Sequence, residues 1–124
     1  MKKRIFPQDK PNIFIPEIDK EKISELFSLV TNMDSYEIKE FSIKHKIPIY
    51  VTDEEGNTLI HKILKDGNNK NENTKLNIIK FLVNEGISLD APNKNNISAL
   101  HLSCEKQYFN ITKYLLLNGA NPNF

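Results

Sequence analysis

Histidines, a lone cysteine and an acidic triplet are the groups in this 124-residue sequence that could do chemistry. His61 and His101 are candidate general bases or metal ligands, because imidazole titrates near neutral pH and a neutral ring nitrogen binds metals. His101 and Cys104 stand at i and i+3 and would make half of a zinc site. No second cluster supplies the remaining ligands such a site requires, so no metal is expected. Asp53-Glu54-Glu55 sits in a polar turn, where exposure keeps carboxylates solvated and ordinary. The sequence has no glycine-rich phosphate loop, no nucleophile elbow and no carboxylate pair embedded in an apolar run. Catalysis and cofactors are therefore not expected of this chain.

The two histidines recur at one offset, and that recurrence assigns them to structure. Asp53-Glu-Glu-Gly56-Asn-Thr58-Leu-Ile-His61 is answered by Asn93-Lys-Asn-Asn96-Ile-Ser98-Ala-Leu-His101. Gly56 and Asn96 fall at a turn tip where positive φ is useful, and Gly or Asn tolerates it best. Thr58 and Ser98 are N-cap types whose hydroxyls can satisfy free amides of a first helical turn. Each histidine lies three residues later, within reach of that hydroxyl and the loop backbone. Downstream, Ile78-Ile-Lys-Phe-Leu82-Val-Asn-Glu-Gly86 is answered by Ile111-Thr-Lys-Tyr-Leu115-Leu-Leu-Asn-Gly119. Gly86 and Gly119 follow apolar helices and are predicted left-handed C-terminal caps. Their spacing of 33 residues is that of a helix-pair solenoid unit. Each unit has an apolar flank that only a stacked neighbour can cover.

Both copies resemble the ankyrin pattern, in which a turn and Thr-Pro-Leu-His open a short helix and Gly-Ala-Asp-Val-Asn closes the pair. Ser98-Ala99-Leu100-His101 and Gly119-Ala120-Asn121-Pro122-Asn123 match it closely; Thr58-Leu59-Ile60-His61 and Gly86-Ile87-Ser88-Leu89-Asp90 match more loosely. The resemblance implies an all-α, ankyrin-type helical repeat solenoid with β-turn fingers. It also places Cys104 at a position normally held by a small buried alanine, so a packed thiol is expected. In such stacks the fingers and the exposed face of each first helix grip a protein partner. Carried over position by position, that strip comprises Glu54, Glu55 and Asn57, then Lys65 and Asp66, from the first unit. The second contributes Lys94, Asn95 and Ile97, then Glu105 and Lys106. Ile97, apolar beside a turn tip, is the expected binding anchor.

The organisation that follows is an extended arm over 1–18, a degenerate helix-pair cap over 19–52, and repeats over 53–92 and 93–124. Pro7, Pro11 and Pro16 disfavour helix in the arm, whose Ile13, Phe14 and Ile15 are expected to lie along the body. Asp19 should cap a first helix carrying Ile23, Leu26, Phe27 and Val30 on one face. Ser35 should cap a second, carrying Ile38, Phe41 and Ser42 and ending before Pro48. Gly56 to Asn96 spans 40 residues, about seven more than the usual unit. The surplus falls at 66–75, a polar, Asn-rich stretch expected to be a solvent-exposed loop. The array stops at Phe124 without an obvious C-terminal cap: either the chain is a piece of a longer array, or its exposed end is covered by a partner or a second copy, as in a structural subunit docking into a larger or homo-oligomeric assembly.

Bulk properties bound the partners and the compartment. A formal net charge of +1 with Arg4 as the single arginine argues against a nucleic-acid or anionic-membrane footprint, which needs a clear cationic excess. No run approaches the roughly 18 apolar residues of a membrane span. Met1-Lys-Lys-Arg is followed by Phe6-Pro-Gln-Asp-Lys-Pro11 where a signal peptide needs an apolar segment. One cysteine allows no intrachain disulfide. These features point to an intracellular location, cytoplasmic or nuclear, and to a protein partner.

Overall fold

A computed structural model describes residues 19–66 and 71–122 of the chain. The expected arm over 1–18 lies outside the described residues. Asp19 caps α1 (Lys20–Leu29), its carboxylate accepting the amides of Glu21 and Lys22. A 3-10 turn over Val30–Asn32 ends that helix. The next helix, α2 (Ser35–His45), starts one residue earlier in its capping than the sequence suggests. Asp34, not Ser35, is the N-cap, because its carboxylate accepts Glu37 N at 2.8 Å while Glu37 returns the favour to Asp34 N at 3.0 Å. A reciprocal box satisfies two otherwise orphaned donors and outcompetes a lone serine hydroxyl.

The remaining helices form two further pairs: α3 (Leu59–Lys65) with α4 (Glu72–Asn84), and α5 (Ala99–Glu105) with α6 (Phe109–Leu117). Among the described residues there is no strand. Inner helices stack on inner and outer on outer: α3 packs on α5, and α4 touches both α2 and α6. The core runs without interruption through Leu26, Val30, Ile38, Leu59, Leu64, Ile79, Leu82, Ile111 and Leu115, all fully buried. Burying each such side chain contributes about 1.5–3 kcal/mol, and because α3 packs on α5 and α4 on α2 and α6, part of that burial is supplied to each pair by its neighbours.

The outer helix of the first pair repeats the pattern of the other two. Ile38, Ile78 and Ile111 occupy one core position, and Phe41, Phe81 and Tyr114 pack against the core at the position three residues on. All three outer helices close the same way. Lys46, Gly86 and Gly119 take left-handed φ values of 56°, 110° and 99°. The amides of Ile47, Ile87 and Ala120 then bond back to Ser42, Leu82 and Leu115 at 3.0, 3.2 and 2.9 Å. Gly at this position avoids the Cβ penalty that Lys46 must bear.

The polar stretch at 66–75 departs from expectation. Residues 67–70 lie outside the described part, but Glu72, Asn73, Thr74 and Lys75 are helical, adding a turn to the start of α4. Asn71 caps that turn by accepting Thr74 N at 2.8 Å. Lys75 is 1% exposed. Its Nζ donates to the carbonyls of Ile63 at 2.9 Å and Asp66 at 3.1 Å, and lies 5.9 Å from the centre of the Tyr108 ring. An ammonium there satisfies carbonyls that the end of α3 leaves open and complements the negative end of its dipole. Composition reads this segment as a loop because the helix is fixed by tertiary partners rather than by an apolar stripe.

Cys104 also departs from expectation: the thiol is exposed. Its counterpart on α3, Leu64, is fully buried because α5 covers that side of α3. No described element covers the same side of α5, so the position carries no burial of its own.

Candidate partner-binding strip

The two fingers are built from the same loop. Asp53 Oδ1 accepts the amides of Glu55 and Asn57, each at 2.9 Å, and Gly56 N donates to Asp53 O at 3.0 Å. Forty residues on, Asn93 Oδ1 accepts Asn95 N at 2.9 Å and Ile97 N at 3.0 Å, and Asn96 N donates to Asn93 O at 2.9 Å. A short side-chain oxygen gathering successive amides is the turn chemistry that Asp and Asn favour. Gly56 and Asn96 supply the positive φ, at 80° and 63°. At Gly56 a Cβ would also stand 3.0 Å from Lys94 N, so glycine leaves room for the close lateral approach of the second finger.

Three contacts then lock finger to finger. Lys94 N donates to Glu55 O at 2.9 Å. Asn93 Nδ2 donates to Asn57 Oδ1 at 2.9 Å, and Asn57 Nδ2 donates to Asp53 Oδ2 at 3.1 Å. The third runs through His61, whose Nδ1 accepts Thr58 N at 3.0 Å while Nε2 lies 2.8 Å from Ile97 O. A carbonyl only accepts, so the proton sits on Nε2 and the ring is neutral. Burial pushes the His61 pKa below its ordinary value; the Ile97 carbonyl opposes this, Lys65 adds to it and Asp53 opposes it. A neutral imidazole with both nitrogens engaged is a strut, and it has no free nitrogen for a base or ligand role. His101 repeats the local half of the arrangement, with Nδ1 3.1 Å from Ser98 N.

The predicted strip divides on this geometry. Glu54, Glu55, Lys94 and Asn95 are exposed on adjoining finger tips, and Lys65, Glu105 and Lys106 are exposed at the ends of α3 and α5, with Asp66 half-buried. Asn57 is a correction. It is 4% exposed and held on both sides by Asp53 and Asn93, so its amide is spent inside the scaffold. Ile97 is half-buried and packed against the core, with its carbonyl taken by His61 and by Asn93 N at 3.0 Å.

Two residues that brace the repeats stand in a segment whose composition reads as a loop: Lys75 at the end of α3 and Glu72 at the start of α6. The surplus length of that unit is their signal in the sequence. Two surface hollows also emerge. One, of about 570 Å3, lies between Ile23 of α1 and the acidic finger at Asp53, Glu54 and Glu55. The other, of about 250 Å3, is lined by Leu100, His101 and Cys104 of α5 and Thr112 and Leu116 of α6. Among the described residues no group of three or more His, Cys, Asp or Glu side chains could hold a metal ion, and no helix is long and apolar enough to cross a membrane.

Comparison with known proteins agrees with this architecture. A family model described as ankyrin repeats, three copies, matches residues 26–124. No curated protein matches the chain. Ankyrin repeats are generally protein–protein interaction modules and typically non-catalytic. Three stacked helix pairs, two register-locked fingers and a match across all three units make the conclusion plain: this chain belongs to the ankyrin-repeat family.

Proposed function

We propose that this protein is a non-catalytic adaptor or scaffold that binds a protein partner through its finger tips and concave inner-helix face. The observation that carries the reading is the lock between fingers: Lys94 to Glu55, Asn93 to Asn57, and His61 to Ile97. Recognition loops held this way lose little entropy on binding, so contact energy goes into affinity. Glu54 and Glu55 beside Lys94 give the tips a mixed-charge edge suited to a polar, complementary partner surface. The near-neutral chain, with net charge +1, favours a protein over nucleic acid. Its single cysteine favours an intracellular setting, cytoplasmic or nuclear.

The test is affinity capture from the native host's lysate with the wild-type chain and a Glu54→Lys/Glu55→Lys/Lys94→Glu variant. The reading requires a protein that the wild type retains and the variant loses. A retained protein indifferent to these changes would refute it.

A second reading, docking into a larger or homo-oligomeric assembly through the α5–α6 face, is favoured by the hollow at Leu100, Cys104 and Leu116. Phe109 on the same helix is 75% exposed, whereas its counterpart Leu76 is 9% exposed beneath the next unit. Leu116→Glu should abolish such docking and leave finger-mediated capture intact.

A further inference from the structure

We propose that Asn118 is a site of spontaneous deamidation, and that its products loosen the end of α6. Asn118-Gly119 is the one Asn-Gly pair in the sequence, and both residues are exposed at the C-terminal end of α6. In the reaction the Gly119 backbone nitrogen attacks Asn118 Cγ and loses its proton. The side-chain nitrogen leaves as ammonia, and a five-membered succinimide results. Water then opens the ring at either carbonyl, giving aspartate or isoaspartate. Glycine carries no side chain to hinder the attacking nitrogen, and apart from its chain neighbours no residue comes within 4 Å of where a Gly119 side chain would begin.

The fold sets the rate. Gly119 N is held by a single bond to Leu116 O at 3.2 Å, and Asn118 Nδ2 donates to Tyr114 O at 2.8 Å. Both bonds belong to the last turn, so fraying of that turn, not global unfolding, releases the reacting groups. The product cannot rebuild what was there. A carboxylate replaces the donor to Tyr114 O and places negative charge at the negative end of the helix. Isoaspartate also inserts a methylene into the main chain. That displaces Gly119 from its left-handed cap, with φ 99°, and breaks the 2.9 Å bond that seats buried Ala120 against Leu115. The outcome is a one-way loosening of the third repeat.

Incubation of the full chain in mildly alkaline buffer, with and without urea, followed by peptide mass mapping, tests the first part. Conversion at residue 118 to aspartate and isoaspartate is expected in the native protein, several-fold slower than in urea, and absent in Asn118→Gln. If the native protein stays unconverted while the urea-treated chain converts fully, the fold closes the site and the proposal fails. Hydrogen exchange tests the second part in Asn118→Asp, which carries the product charge with an unaltered main chain. The amides of Gly119 and Ala120 should exchange several-fold faster than in wild type; unchanged exchange overturns the loosening.

Discussion

Glu72, on the outer helix of the middle repeat, caps the outer helix of the next: its carboxylate accepts Asn110 N at 2.7 Å and Ile111 N at 3.0 Å. Tyr108, the residue that precedes α6, offers no side-chain cap of its own. Asp90 performs a similar service beyond the other end of α6, accepting Asn121 N at 2.9 Å. The third repeat is thus held at both ends by acids from the second.

Replacing Glu72 should therefore weaken α6 without touching its sequence. Glu72→Ala is expected to cost about 1 kcal/mol, as loss of a helix N-cap does. Glu72→Gln, which keeps an acceptor oxygen but no charge, should cost less. Urea unfolding of the two variants decides it, and equal losses would mean the charge is immaterial.

Lys75 predicts a larger effect. Lys75→Ala removes the donor to Ile63 O and Asp66 O and leaves a cavity where a fully buried side chain stood. The combined loss should be about 2–4 kcal/mol. Lys75→Met, which fills the space but donates nothing, should recover part of it, with both midpoints read from the same urea titrations.

The His61 lock carries a pH signature. In the unfolded chain the ring has an ordinary pKa of about 6.5; in the folded protein it is lowered, mainly by burial. As pH falls through the unfolded value, the unfolded state takes up a proton that the folded state refuses, so stability drops on acidification. Above that value the ring contributes no pH dependence. His61→Gln should flatten the stability profile between neutral pH and the mildly acidic range, as followed by thermal melts across pH.

Two glycines with similar backbones should respond differently to alanine. Gly56→Ala must bear positive φ and a Cβ 3.0 Å from Lys94 N, whereas Gly119→Ala meets nothing within 4 Å. Backbone strain alone is worth about 1–3 kcal/mol, and Gly56→Ala should exceed Gly119→Ala by the clash. It should also separate the fingers, visible as faster hydrogen exchange at Lys94 N.

Much of this protein is written in local sequence. Thr58, Ser98, Gly56, Asn96, Gly86 and Gly119 declare their places because each answers a backbone demand within a few residues: a cap, a positive φ, a helix end. The histidines declare theirs because a hydroxyl three residues earlier is fixed by helix geometry. The repeat, and hence the family, follows from those local demands recurring at a fixed spacing.

Tertiary packing decided the rest. Leu64 and Cys104 hold one position in two repeats, yet only the covered one is buried, since burial belongs to the neighbour and not to the residue. Asn57 looks like a free polar contact until Asn93 arrives beside it from thirty-six residues away. Lys75 and Glu72 have the composition of a loop and become helix because their partners are the carbonyl end of α3 and the amide end of α6. Long-range hydrogen bonds of this kind leave no periodicity in a sequence, which is why only the folded chain reveals them.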